Sequence, residues 1–361
     1  MVIKKLTLEN FRNYEEETFE FSEGLNVLTG RNGQGKTNCA EAVFYLCTGT
    51  SLRIRHDRQL IRHGAPSARV KAVAENAYGA FTLEAEIFEN KRELKVNSNK
   101  VARTVDFIGN MNSVFFSPGE LRLIQDGPDE RRRFLNLSIS QTSRSYCTAL
   151  QRYQRILDQR NNLLKDRDVE LIMQTLPVWD EQLAAYAAQI AVKRREFLEL
   201  LSPLAGEAHA YLTDGCEKLE IQPEKNYPDG EDAIRERFLR EFQNSYERDV
   251  RLGFTTVGPH RDDVRILIGG VDARGYASQG QTRTAALSLK LAEVEIFKKL
   301  SGENPVLILD DVMSELDLPR RKKLVERVKG LQCILTCTHA ERVLYGKDCQ
   351  KIRIQEGKIV K

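Results

Sequence analysis

Apolar and polar residues alternate at positions 70–74, 81–88 and 94–96, with polar turns such as 97–100 between them. This period of two predicts an antiparallel sheet in the first third of the chain. An unbroken apolar run at 25–28 leads through a glycine-rich stretch into a helix-like segment at 38–47. The period lengthens after Pro118. Trp179, Leu183, Tyr186, Ile190, Phe197 and Leu201 stand three, four or seven apart, and Ile234, Phe238, Phe242 and Tyr246 recur every four, so 130–246 reads as helices with apolar packing stripes. The longest stripe supports a short helical hairpin and falls short of the heptads a long coiled coil needs. Pro177, Pro203 and Pro228 are expected at helix boundaries. Beyond Gly253 the pattern alternates: a strand at 264–268, a helix at 282–300, a strand at 306–309, a helix from Arg320, a strand at 333–336, and a closing hairpin about Glu356-Gly357.

The 361 residues, 41% of them hydrophobic, can bury a sizeable core, and length alone suggests about two domains. Lys plus Arg number 55 against 52 Asp plus Glu, so no chain-wide charge points to nucleic acid; any basic surface is local. The seven cysteines are scattered without C-x-x-C spacing, as expected of buried thiols in a reducing cytosol. The N-terminus alternates charge with aliphatics, which reads as a strand and not a signal peptide, and no window approaches a membrane span. A cytoplasmic protein is the expectation.

The glycine-rich stretch has chemistry. Gly30-Arg31-Asn32-Gly33-Gln34-Gly35-Lys36-Thr37 is a G-x-x-x-x-G-K-T phosphate cradle between a strand and a helix. Its glycines let successive N–H groups point at phosphate oxygens, and the helix adds its positive end. Lys36 is placed to reach the β- and γ-phosphates of ATP, and the Thr37 hydroxyl to hold Mg2+. Val306-Leu-Ile-Leu-Asp310-Asp311 is too continuously apolar for a half-exposed strand; a buried parallel strand ending in two carboxylates is predicted. Ligands of open α/β sheets sit at strand carboxyl ends, so Asp310 is assigned to Mg2+ and Asp311 to polarising the attacking water. These halves lie three-quarters of the chain apart, so the site must be assembled around an inserted segment.

Ser278-Gln-Gly280-Gln281 opens a helix with free N–H donors and resembles the signature motif of ABC-type ATPases. Ser314-Glu-Leu-Asp317 resembles their D-loop, and Thr338-His339 stands where that class carries its switch residue, making His339 a catalytic candidate. Together with Leu8-Glu-Asn-Phe-Arg12-Asn13-Tyr14, Pro128-x-x-Arg131-Arg132-x-Phe134-Leu135, Gly258-Pro-His260-Arg261-Asp262-Asp263 and an Asp-Asp strand ending, these motifs are similar to the RecF family within the SMC-like ATPases, from residue 8 to 339.

That resemblance implies an α/β, ABC-ATPase-like two-lobed head: 1–125 and 251–361 form the ATPase unit, a mixed phosphate-loop sheet with an antiparallel β subdomain, and 126–250 a helical arm without a long coiled coil. It implies an ATP-driven homodimer with Ser278, Gly280 and Gln281 completing the partner's nucleotide site in trans, binding to single- and double-strand DNA junctions, and cooperation with RecR and RecO in loading RecA. Asp311 is shorter than the usual glutamate, so slow ATP turnover is expected. No glutamine stands near residues 115–121, where one linking the lobes is expected. Arg53, Arg55, Arg58, Arg131, Arg132 and Arg133 are candidate DNA contacts, and Arg12 and Arg53 can alternatively serve the nucleotide. Competing readings are the cytoplasmic engine of an ABC transporter, a non-hydrolysing ATP-gated scaffold and a small-molecule kinase.

Overall fold

The computed structural model describes residues 1–54, 56–166, 169–338 and 349–360. Along the chain, β1 (Val2–Glu9), β2 (Glu16–Glu20) and β3 (Leu25–Thr29) precede α1 (Lys36–Thr48), followed by β4 (Ser67–Asn76), β5 (Gly79–Phe88), β6 (Arg92–Val96), β7 (Asn99–Lys100) and β8 (Ser113–Phe116). The middle holds α2 (Arg122–Gln125), α3 (Pro128–Thr142), α4 (Arg144–Leu163), α5 (Val169–Thr213), β9 (Leu219–Pro223), α6 (Glu231–Asn244) and α7 (Tyr246–Leu252). Then come β10 (Val264–Ile268), β11 (Val271–Asp272), α8 (Ala273–Tyr276), α9 (Gln279–Ser301), β12 (Val306–Asp310), α10 (Leu318–Arg327), β13 (Cys333–Cys337), β14 (Cys349–Gln355) and β15 (Lys358–Val360).

The alternating segments form an antiparallel sheet in the order β2-β1-β4-β5-β6-β7. In β4 the inward residues Ala68, Val70, Ala72 and Ala74 are small, which lets a helix pack close. A second sheet, β15-β14-β3-β13-β12-β8, is parallel except for the β14–β15 hairpin. Its strands β12 and β13 are buried throughout, as their unbroken apolar runs require. Helix α1 packs against strands of both sheets and is buried at every residue from Cys39 to Thr48, with Glu41 the one charged residue in that stretch, so it is enclosed all round rather than amphipathic.

Two expectations about the middle of the chain are corrected. Pro177 and Pro203 do not bound helices; both lie inside α5, whose 45 residues span about 68 Å. Each proline is exposed, and the carbonyls they leave unbonded, four residues earlier, belong to exposed Met173 and Glu199, where water can take them. Inward-facing Leu176, Leu183 and Leu201 keep the helix seated. The 250/251 boundary also fails as a lobe edge. Strand β9 pairs with β10 across it, and α9 packs along α5, so the helical lobe includes the signature helix.

A buried charge cluster fastens this lobe. Fully buried Arg160 donates to Asp180 at 2.7 Å, Asp249 at 2.8 Å and Thr255 at 2.8 Å, with its guanidinium over Phe242. Arg160→Met leaves two buried carboxylates without their cation and is expected to cost about 3 kcal/mol, read as a lowered urea midpoint at unchanged slope. A loss under about 1 kcal/mol would show that the cluster is not what holds α4, α5 and α7 together.

Candidate nucleotide site

The phosphate loop is braced from both ends of the chain. Gly30 (φ 151°) passes so near the Ile354 carbonyl of β14 that a Cβ would collide with it, and a Cβ on Gly35 (φ 117°) would meet the Tyr14 hydroxyl and the Asn13 amide. Tyr14 Oη donates to Gly35 O at 2.9 Å, and Asn13 Nδ2 to Gln34 O at 3.0 Å. The Gln34 side chain accepts from the Glu356 amide of the closing hairpin at 2.7 Å. Arg31, Asn32 and Gly33 are exposed at the tip.

The loop opens on a cleft of about 330 Å³ lined by Asn32, Gly35, Lys36, Thr37, Arg53, Asp311 and Thr336, among others. The assembly expected from distant segments is present: Thr37 Oγ1 donates to Asp310 Oδ1 at 2.8 Å. A residue that sequence reading missed, Thr336 on neighbouring β13, donates to the same oxygen at 2.7 Å. Its signal was a hydroxyl inside an otherwise apolar buried strand. Asp310 has no ion-pair partner among the described residues, and burial pushes its carboxyl above the ordinary range against the pull of these two hydroxyls. Asp311 adopts a left-handed conformation (φ 55°), with its amide donating to Thr336 Oγ1 at 3.0 Å. Lys36 Nζ donates to Gly30 O at 2.7 Å and Arg31 O at 2.9 Å, and burial pulls its pKa down.

Ser278 caps α9 in a full capping box with Gln281, and Ser278, Gln279 and Gly280 are exposed. No residue of this motif lines the cleft of its own chain. Gln281 departs from its assigned role: its side chain is bonded to Ser278 N and Glu217 within its own chain, so it braces the helix start and is not a free donor. Asp317 is exposed and caps α10 through Arg320 N at 2.9 Å. Where a glutamine was expected, Glu120 forms an ion pair with buried Lys290 of α9 at 3.2 Å.

The arginines separate. Arg12 is held bidentately by Glu41, both bonds 2.9 Å, and lies outside the cleft, whereas Arg53 lines it and bonds Asn38 at 3.2 Å. Arg131 is withdrawn from any DNA surface: it is buried and paired twice with Asp263 at 2.7 Å. Arg132 donates to Asp262 O and Arg133 to Ser51 O, so Arg131 and Arg132 both turn to the 262–263 segment while Arg133 turns to the stretch after α1. Arg58 is exposed; Arg55 and His339 lie outside the described residues.

The 258–263 motif is a structural joint away from the cleft. Pro259 O accepts from Arg194 at 2.6 Å, Asp262 accepts from Tyr227 at 2.7 Å, and His260 lies 2.5 Å from Tyr153 Oη and 3.1 Å from Thr255 O. Burial pulls the His260 pKa down to about 4, below its ordinary 6.5. The folded state therefore keeps a neutral ring while the unfolded chain takes up the proton. Stability is full above pH 6.5 and falls by about 3 kcal/mol as pH drops towards 4. Urea titrations across that range should show the slope, and His260→Gln should flatten it; an identical slope in the variant would assign the loss to other groups.

A phosphate loop facing two carboxylates across a parallel sheet, with a capped signature helix on a second lobe, defines an ABC-type ATPase head. The model of the RecF/RecN/SMC N terminal domain family matches residues 2–361. The DNA replication and repair protein RecF of Alkaliphilus oremlandii is 40% identical over 366 residues, covering 99% of this chain and all of that protein. That of Lachnoclostridium phytofermentans is 41% identical over 349 residues, covering 96% and 95%. A solved structure of the recombination mediator protein RecF-ATPrS in the RecFOR pathway superposes with a TM-score of 0.91 at 36% identity, over 99% of this chain and 97% of that one. An Smc head bound to the C-winged helix domain of ScpA, at 16% identity and a TM-score of 0.59 over 100% and 97%, shares the fold. The chain belongs to the RecF family. Among the described residues no helix is long and apolar enough to cross a membrane.

Proposed function

We propose that this chain is an ATP-dependent, DNA-binding recombination mediator that dimerises around ATP, hydrolyses it slowly, and with RecR and RecO promotes RecA loading at single/double-strand DNA junctions and gaps. The observation that carries the reading is a complete phosphate-loop and acidic-strand cleft in one chain whose signature serine faces outward, available to a second copy. The relatives' names, which give DNA replication and repair, and the ATP-bound RecF structures support it.

The loop N–H groups and Lys36 bind the phosphates of ATP. Thr37 and Asp310 present two hard oxygen donors, and Asp310 is a buried carboxylate with no ion-pair partner among the described residues, so together they fit Mg2+. A Mg2+ ion held by Thr37 and Asp310 would supply positive charge to offset that of the ATP phosphates. Asp311, fixed by Thr336, accepts a proton from the attacking water and orients it. Ser278 Oγ–H and the N–H groups of Gln279 and Gly280 donate to the terminal phosphate held by the partner, a contact that disappears when that phosphate leaves.

Asp311→Asn keeps the left-handed backbone, which asparagine tolerates, and removes the base. It should bind ATP normally and turn it over at least about 100-fold more slowly in a phosphate-release assay. Unchanged turnover would favour the non-hydrolysing scaffold.

A further inference from the structure

The start of α9 is held from behind by a chain of side chains. The Gln281 amide accepts from Ser278 N through Oε1 at 2.9 Å and donates through Nε2 to Glu217 Oε1 at 2.8 Å. A backbone N–H can only donate and a carboxylate can only accept, so Ser278 N and Glu217 together fix which way the amide faces. Turned over, the amide would lose both bonds. The second oxygen of Glu217 lies 3.3 Å from Nε2 of His209, a fully buried imidazole of α5, whose Nδ1 lies 3.1 Å from Ser288 Oγ on α9. Burial pulls the His209 pKa down, against the pull of Glu217 on the ring nitrogen that faces it.

The chain Ser278, Gln281, Glu217, His209, Ser288 thus begins and ends on α9 and is anchored in α5. On its other side, Arg283 pairs with Glu315 at 2.5 Å, and Ser314 Oγ donates to Asp311 O at 2.8 Å. The first turn of α9 carries no acidic residue that would compete for its N–H groups. Glu217 itself is part-exposed in the turn after α5, outside the hydrophobic core.

We propose that Glu217, seated on His209, is a positioning residue for the signature serine. It locks the Gln281 amide, the amide completes the capping box, and the box presents the Ser278 hydroxyl and the Gln279 and Gly280 N–H groups in the geometry that the terminal phosphate of a second copy's ATP requires. Preorganisation is the contribution: without the carboxylate the amide is held by Ser278 N alone, and closure of the dimer must supply the remaining order at that moment. The inference rests on the composite-site reading above.

The test uses the full-length protein with ATP. Glu217→Ala should leave ATP affinity and melting temperature nearly unchanged while weakening ATP-driven dimerisation and lowering kcat, each about tenfold, the size of one net hydrogen bond. Glu217→Gln should restore both, because its amide oxygen still accepts from Gln281 and the neutral imidazole can exchange tautomers. Wild-type dimerisation and kcat in Glu217→Ala, where Ser278→Arg blocks dimerisation, would overturn the proposal alone. So would loss of ATP affinity and melting temperature together without rescue by glutamine, which marks a merely structural brace. If Ser278→Arg itself dimerises with ATP, the composite site fails, and this proposal with it.

Discussion

Lys36→Ala should lower the affinity for ATP by at least about 1,000-fold, roughly 4 kcal/mol. The buried ammonium is bonded to two loop carbonyls at the mouth of the cleft, so truncation removes the phosphate's cationic donor and leaves Gly30 O and Arg31 O unpaired inside the loop. Arg53 lines the same cleft, but its guanidinium bonds Asn38 and lies 3.7 Å from Glu41, so it is not a substitute. Calorimetric titration reads the loss directly. Thermal melts give an independent check: ATP at 100 times its Kd stabilises a binding-competent head by about 2.7 kcal/mol, and the variant should gain nothing. Affinity within tenfold of wild type would remove Lys36 from the phosphate site.

Ser278→Arg should abolish ATP-dependent dimerisation while leaving ATP binding within about twofold of wild type. The expectation follows from where the residue stands: exposed at the N-cap of α9, and absent from the lining of its own chain's cleft. A long cation there blocks approach of the second copy's loop, and the lost cap costs about 1 kcal/mol. That is too little to unfold a head of this size, and a melting curve verifies it. Light scattering with and without ATP decides the matter. A variant that binds ATP and still dimerises would mean that the two copies, if they meet, do so by another face.

Much of this architecture could be read from local pattern. Alternation at 70–74 and 81–88 became β4 and β5, and the aliphatic run before Asp310 became a parallel strand buried on both faces. The meeting of Thr37 with Asp310 was predictable because the loop leading from β3 into α1 and the end of β12 both lie at the carboxyl edge of one sheet. What escaped depends on partners distant in sequence. Arg131 looks like a surface arginine until Asp263 comes to it, and Gln281 looks like a free donor until Glu217 does. Pro177 and Pro203 carry a helix-stop signal that tertiary packing of α5 overrides on its exposed face. The lobe boundary at 250 was misplaced because the β9–β10 pairing spans it, and composition does not register a sheet shared between two stretches of chain.

Sedimentation of the hydrolysis-impaired Asp311→Asn protein, across a concentration series with and without ATP, tests the dimer most directly. ATP should convert a monomer into a discrete dimer, and adding Ser278→Arg to the same chain should return it to monomer. A protein that binds ATP yet sediments as a monomer at every concentration, with or without DNA, would contradict the composite site.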